Sequence, residues 1–278
     1  MNKNTALATG AALLLCGSGV ALAGITYKQT TRSDAMQMSA QVWIDEGGFR
    51  VEYLDVPAGN PFMAPGSYMI VRDGSMFLVN PAERTYSRFD ASTFAGPMQA
   101  LGQMGAAGAI DIRDAKVEKV LEEPGEPILG HPTRHYRFES SWTMAIGGGP
   151  MSTDYSATED VWIAEDIAMP QGGASLLESM SLPAPVRELV EAQRAKTIDG
   201  LPLRTVTVQS LKVNMGGIGG PLAERLSSRA GGQPTTTTME VTELQELDVP
   251  ASQFEIPSDY REVSLFQGGA FPAAPPGP

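Results

Sequence analysis

Apolar and polar residues alternate with a period of two in the first long segment of the chain. Between Met36 and Ile44, every second residue is apolar, and the intervening positions are mostly polar. Such alternation is typical of a strand with one buried and one exposed face. The turn Asp45–Gly48 follows, and the alternation resumes over Phe49–Tyr53. The pattern therefore predicts an antiparallel hairpin at the start of a sheet.

Similar extended runs recur along the chain, separated by turns rich in Gly, Pro, Asn and Asp. They lie at Tyr68–Val71, Met76–Val79, Thr85–Phe89, Ile110–Glu122, Pro127–Trp142 and Tyr155–Ile163. Two longer runs follow, Leu203–Met215 and Thr235–Leu247. The parity of the apolar positions changes within the first of them, which predicts a β-bulge near Gln209–Ser210. We expect the final segment Phe254–Tyr260, which reads Phe-x-Ile-Pro-x-x-Tyr, to close the fold.

Three segments have a helical rather than an extended pattern. Apolar residues recur at three or four positions in Ala91–Gly108 and Ala184–Lys196, and a shorter helical piece is expected at Ala174–Ser181. We therefore expect an α+β fold, a strongly curved, mostly antiparallel β-sheet of about eight to eleven strands wrapped around two or three helices. The pattern predicts a single domain over residues 24–265 and a disordered Pro/Gly-rich tail over residues 266–278.

The first 23 residues are typical of a cleaved export signal. Lys3 supplies a positive charge, Ala6–Val20 is a short apolar run, and Ala21-Leu22-Ala23 has the small-x-small pattern of a cleavage site. The apolar run is too short to span a bilayer. We expect an exported, soluble, periplasmic protein. The alternative is an outer-membrane lipoprotein anchored through Cys16, although Leu15 stands where lipoprotein processing prefers a small residue.

The charge balance argues against nucleic acid as a partner. The chain has 32 acidic and 20 basic residues, a formal net charge of −12, and the acidic residues are spread along its length. A diffuse negative surface repels phosphate backbones and anionic lipid surfaces and favours solubility.

No residue constellation indicates a metal site. His131 and His135 lie four apart, the spacing that places two zinc ligands on one helix face. Here Gly130 and Pro132 predict a turn and the following residues predict a strand, so that spacing does not bring the two rings together. The chain has no third histidine.

Nucleotide cofactors and hydrolytic chemistry are not indicated either. The Gly-rich segment Gly216–Pro221 lacks the third glycine of a dinucleotide fingerprint, because Leu222 occupies that position. No Gly-x-Ser-x-Gly motif follows residue 23, and both histidines lie in one predicted hairpin, which disfavours a catalytic triad. Carboxylate pairs such as Glu159-Asp160 and Glu165-Asp166 are more typical of solvated strand ends than of acid–base catalysis. We expect no cofactor and no enzymatic activity.

Four segments carry a resemblance to a known family. They are the hairpin Ile25–Tyr53, the hairpin Ile128–Tyr136, the strand Val161–Ile163 and the closure Phe254–Tyr260. In pattern and spacing the chain resembles the exported proteins with a DUF4412 domain. More broadly it resembles the half-barrel proteins related to the lipoprotein carrier and receptor of the outer-membrane sorting system. In that fold a curved antiparallel sheet wraps around helices and leaves an apolar cavity.

The resemblance implies a non-catalytic role, namely carrying or sensing an apolar ligand such as a lipid or acyl chain. Flexible, polarizable methionines and flanking tryptophans would suit such a cavity. The candidate ligand-binding residues are Met98, Met104, Trp142, Met144 and Trp162. These side chains could instead simply fill the core. Two other functions remain as alternatives: an envelope protein-interaction module without a small-molecule ligand and, third, an unrecognised enzyme.

Overall fold

A single large sheet dominates the protein. The computed structural model describes residues 24–34, 36–57, 64–89, 110–146, 152–168, 192, 198–214 and 233–264. The strands are β1 (Gly24–Ser33), β2 (Gln37–Ile44), β3 (Phe49–Asp55), β4 (Tyr68–Arg72), β5 (Ser75–Asn80), β6 (Thr85–Phe89), β7 (Ile110–Pro124), β8 (Thr133–Ile146), β9 (Ser152–Ala164), β10 (Pro202–Asn214), β11 (Thr235–Leu247) and β12 (Arg261–Glu262). A 3₁₀ turn, Ala251–Phe254, lies between β11 and β12.

The strands form one 12-stranded sheet in the order β12-β6-β5-β4-β3-β2-β1-β11-β10-β9-β8-β7. Neighbours are antiparallel, except that β12 pairs in parallel with β6. The pairing of β1 with β11 joins the two halves of the sheet. In this pairing Tyr27 lies opposite Leu244. This confirms the strands and the hairpins that the alternating pattern predicts.

The predicted α+β class, with the sheet wrapped around two or three helices, is wrong. Strands make up 69% of the described residues. They form one large open antiparallel sheet, and no helix among the described residues wraps around it. Within these residues, loops cover parts of the sheet: Ile128 and Ile167 pack among the strand residues of the main core. The predicted helices at Ala91–Gly108, Ala174–Ser181 and Ala184–Lys196 lie outside the described residues, apart from Ala192, which is helical.

The two faces of the sheet differ in composition. We call the face that carries Val42 and Ile44 the inner face and the opposite one the outer face. Since residues directly opposite each other on paired strands point to the same side, the register assigns every strand residue to one face. The inner face contains the largest core, built around Ile25, Val42, Leu203 and Val241, all at most 2% exposed. Burial there also raises the pKa of Tyr27 to about 12.

A C-terminal strap, residues Val249–Val263, crosses the outer face of the β2–β6 half. Val249 and Phe254 are buried against Tyr68, Ile70 and Val79. Two arginines fasten the strap through its backbone. Arg50 Nη1 donates to the Gln253 carbonyl oxygen at 3.2 Å, and Arg72 Nη1 donates to the Phe254 carbonyl oxygen at 2.6 Å. The segment Phe254–Tyr260 therefore closes the fold, as its sequence predicts.

The predicted bulge near Gln209–Ser210 is wrong. The register between β10 and β9 runs without a break from Arg204 to Asn214, and the irregularity lies earlier, between Pro202 and Arg204. The change in apolar parity has another consequence: Val206 and Val208 lie on the outer face, whereas Leu211 lies on the inner face.

Gly200 occupies a position where a side chain has no room. Its φ is +118°, and a Cβ there would lie 2.5 Å from the Ala164 carbonyl oxygen and 2.6 Å from Ile163 Cγ2. We expect Gly200→Ala to lower the free energy of unfolding by about 2–4 kcal/mol, from backbone strain plus overpacking. Gly66→Ala is the matched control, because Gly66 also has a positive φ, +80°, but has nothing within 4 Å of the added Cβ.

For the control we expect a loss of only about 1–2 kcal/mol. Urea unfolding of both variants measures the difference. Equal losses for the two substitutions would contradict the close approach of Gly200 to Ile163 and Ala164 at the end of β9.

Candidate functional site

An aromatic pair lies on the inner face, near the end of β8 and the start of β9. Trp142 and Tyr155 are directly opposite each other, and their rings stack with centroids 3.7 Å apart and planes inclined by 20°. Leu211 on β10 lies opposite Tyr155 on the same face and is 44% exposed. We call Trp142, Tyr155 and Leu211 the aromatic platform. Both rings are only partly buried, so the platform presents a large apolar surface that is not fully covered.

The next row of the inner face continues this apolar surface. Met144 follows Trp142 two residues later on β8 and pairs with Ile112 on β7, which is buried. Val213 follows Leu211 on β10. These strands reach this end of the sheet because β8, β9 and β10 have 13 or 14 residues each, longer than β3 to β6.

Polar contacts on the outer face fix the strand ends behind the platform. Thr143 Oγ1 donates to Asp154 Oδ1 at 2.9 Å, and Asn214 Nδ2 donates to Asp154 Oδ2 at 2.8 Å. These two hydrogen bonds hold the pKa of Asp154 below its usual value. They connect β8, β9 and β10, so the rows that carry the platform residues stay in register.

The other side of the platform borders a negative charge. Burial raises the pKa of Tyr155, and the charge of Glu159, four residues along β9, raises it further. The phenol therefore remains protonated at neutral pH. It offers a neutral, amphipathic surface to a ligand.

The predicted site residues fall into three groups. Trp142 and Met144 lie together on the inner face. Trp162 lies on the outer face, where it stacks on His135 with ring centroids 4.3 Å apart. Met98 and Met104 lie outside the described residues. The structure adds Tyr155 and Leu211, which the sequence reasoning missed; the sequence shows their alternation but not which residues face them.

The outer face around Trp162 carries a network of hydrogen bonds and ion pairs. His135 Nδ1 lies 3.2 Å from Glu123 Oε1 and its Nε2 lies 2.6 Å from Asp160 Oδ1. Arg137 also binds Asp160, and Arg204 binds both Glu240 and Glu126. These hydrogen bonds and ion pairs connect five adjacent strands or the loops between them. Across the described ranges, no three His, Cys, Asp or Glu side chains converge to hold a metal ion.

A depression of about 490 Å³ also lies on the outer face. Its lining includes the polar side chains of Lys116, Glu118, Glu139, Ser141 and Ser156, and also Ser140 and Ala157. Most of its strand residues belong to the outer face, whereas the aromatic platform lies on the inner face.

Comparison with known proteins identifies one family. The profile of the DUF4412 family, described as a domain of unknown function, matches residues 24–260. No curated protein matches the chain. The resemblance to this family that the sequence indicates is thus confirmed.

Three solved structures are similar to the chain at low identity. An uncharacterized conserved protein from Thermus thermophilus is 11% identical, with 87% of this chain and 91% of that one covered and a TM-score of 0.39. The LolA superfamily protein NE2245 from Nitrosomonas europaea is 8% identical, with 84% and 89% covered and a TM-score of 0.27. A DUF1329 family protein from Desulfovibrio piger is 12% identical, with 85% and 91% covered and a TM-score of 0.32.

Proposed function

The chain belongs to the DUF4412 family, a domain of unknown function, and we propose that it is a non-catalytic binding protein that holds an apolar ligand against the inner face of its sheet. The ligand class is a lipid or another molecule with an acyl chain. The protein carries or senses this ligand, and its role requires no cofactor.

The aromatic platform is the observation that supports this proposal. Large aromatic side chains gain most of their stabilisation from burial, and a stacked Trp–Tyr pair is normally covered. Here Trp142 and Tyr155 remain partly exposed, and Leu211 beside them is 44% exposed. A flexible chain lying across this row would cover the three side chains. The neighbouring Met144 adds an adaptable apolar surface.

We place this binding role outside the cytoplasm. The support is the N-terminal pattern, with its short apolar run and the Ala21-Leu22-Ala23 cleavage pattern. In the described part of the chain, no helix has the length and apolarity needed to span a membrane.

An envelope protein-interaction module is the second candidate. The feature that favours it is β7, the outermost strand at one end of the described sheet, which is 15 residues long and carries the exposed Val120. However, β7 has register shifts between Arg113 and Lys116 and between Lys119 and Leu121. Bulges and charged side chains are devices that protect edge strands from pairing with other chains. We therefore rank this candidate below ligand binding.

Native mass spectrometry of the protein purified from its own source tests the proposal. We expect a mass excess in the native spectrum that disappears on denaturation, together with a lipid in the organic extract. A native mass without excess, followed by no uptake of an added acyl probe, would contradict ligand binding and favour the interaction module. The denatured mass also distinguishes a chain that begins at Gly24 from one that begins at a diacylated Cys16.

A further inference from the structure

We propose that Ser140 is the polar anchor of the ligand, and that the ligand is a neutral acyl ester rather than a free fatty acid or a plain hydrocarbon. This inference rests on the proposed function, because it assigns the chemistry of the molecule that lies on the aromatic platform. It adds a hydrogen-bonding group at a defined distance from that platform.

Ser140 is a buried hydroxyl in apolar surroundings. It lies on the inner face of β8, two residues from Phe138 on one side and two residues from Trp142 on the other, and it is 5% exposed. Phe138 is almost fully buried, at 1%. Within the described residues, Ser140 Oγ has no hydrogen-bond partner. A buried hydroxyl without a partner is costly and uncommon, and it calls for an explanation.

Three other buried hydroxyls among the described residues donate to backbone carbonyl oxygens. Ser67 Oγ donates to the Ala64 carbonyl oxygen at 2.7 Å, Ser87 Oγ to the Val263 carbonyl oxygen at 2.8 Å, and Thr133 Oγ1 to the Glu126 carbonyl oxygen at 2.6 Å. Ser140 therefore differs from the usual arrangement in this fold. Among the described residues no acceptor lies within hydrogen-bond distance of its hydroxyl, so a bound molecule can supply one.

Apolar side chains flank Ser140 on both neighbouring strands, Val117 on β7 and Ala157 on β9. Ser140 lies directly opposite Ala157 on β9, whose side chain is a single methyl group. The rows on either side hold large rings, Phe138 before it and the stacked Trp142 and Tyr155 after it. Rows two residues apart on a strand are separated by about 7 Å. A carbonyl at Ser140 would thus place the following acyl carbons on the aromatic platform.

The charges around Ser140 favour a neutral group. Glu159 lies diagonally across from Ser140, opposite Phe138, at a typical Cβ separation of about 7–8 Å. Its negative charge reaches this face, because it raises the pKa of Tyr155. Lys119 on β7 faces the same side, but its Nζ is bound by Glu122. A carboxylate would add a second negative charge near Glu159, whereas an ester carbonyl accepts a hydrogen bond from Ser140 without adding charge.

A matched pair of probes tests the anchor. 1-Monolauroylglycerol and 1-O-dodecylglycerol have chains of equal length, but the second has an ether in place of the ester and so lacks the carbonyl oxygen. Isothermal titration below the critical micelle concentration measures both affinities. We expect the wild-type protein to bind the ester about five-fold more tightly than the ether, the value of one net hydrogen bond.

The variant Ser140→Ala should remove this preference, because it weakens binding of the ester but not binding of the ether. Ser140→Thr keeps a hydroxyl and should retain part of the preference. Ser141→Ala, on the outer face of the same strand, is the matched control and should bind both probes as the wild type does. The Tm of Ser140→Ala should not fall, because the hydroxyl that is lost has no partner among the described residues.

Three results would overturn the anchor. The wild type could bind both probes equally, Ser140→Ala could weaken both by the same factor, or laurate could bind more tightly than the ester. In each case ligand binding itself survives. If the wild-type protein binds neither probe, the proposed function fails and the anchor fails with it.

Discussion

Replacing Phe254 with alanine is expected to lower the free energy of unfolding by about 3–5 kcal/mol, the usual cost of removing a buried ring. Phe254 is 4% exposed and forms the centre of the core between the C-terminal strap and the outer face. Its ring lies directly on Gly48, where an added Cβ would be 3.0 Å from Phe254 Cδ1. The strap also positions β12 on β6, so the loss of this contact should free that edge of the sheet.

Chemical unfolding followed by circular dichroism measures this effect. Ser258→Ala is the control, because Ser258 lies on the same strap but is exposed, and it should change the unfolding free energy by less than about 0.5 kcal/mol. If Phe254→Ala were as stable as Ser258→Ala, the packing of the strap on the outer face would contribute little to the stability of the fold.

The variant Trp142→Ala is expected to weaken binding of an acyl probe by about 30-fold or more, the loss that corresponds to a binding hot spot. The substitution removes one of the two stacked rings of the aromatic platform and leaves Tyr155 without its partner. Trp142 is only partly buried in the protein, so we expect a smaller effect on stability than on affinity.

Titration with a fluorescent fatty acyl probe measures the affinity of each variant, and its Tm measures the stability. Together the two measurements separate the two effects. Trp142→Phe should show an intermediate loss, because a smaller ring keeps part of the stacking surface. A Trp142→Ala variant that binds the probe as tightly as the wild type would exclude the aromatic platform as the binding site.

Local alternation predicted the strands well because each strand has its own apolar and polar pattern. The run Met36–Ile44 is an example: its even-numbered positions from Ala40 onward are buried in the inner core, and Trp43 lies on the other face. The closure over Phe254–Tyr260 was also evident. Phe254 and Ile256 are apolar residues between two prolines, and such residues need an apolar surface to pack against. These features depend on residues near one another in sequence.

The fold class and part of the site could not be predicted in this way. Helical spacing in a segment does not determine whether that segment covers a sheet, and the described residues form an open sheet with no helix wrapped around it. The stacking of Trp142 on Tyr155 depends on the register between β8 and β9, which local patterns do not specify. For Trp162 a signal did exist: it lies between the apolar residues Val161 and Ile163, and alternation places its ring on the face opposite to theirs.

Photocrosslinking of a bound acyl chain tests the central claim, binding on the inner face, most directly. An ester of a fatty acid with a diazirine near the chain terminus would be irradiated with the protein, and the labelled peptides mapped by mass spectrometry. We predict labels concentrated at Trp142, Met144, Tyr155 and Leu211, with competition by unlabelled ester. Labels on outer-face residues such as Ser141 and Ser156, or labels that an excess of unlabelled ester does not reduce, would contradict it.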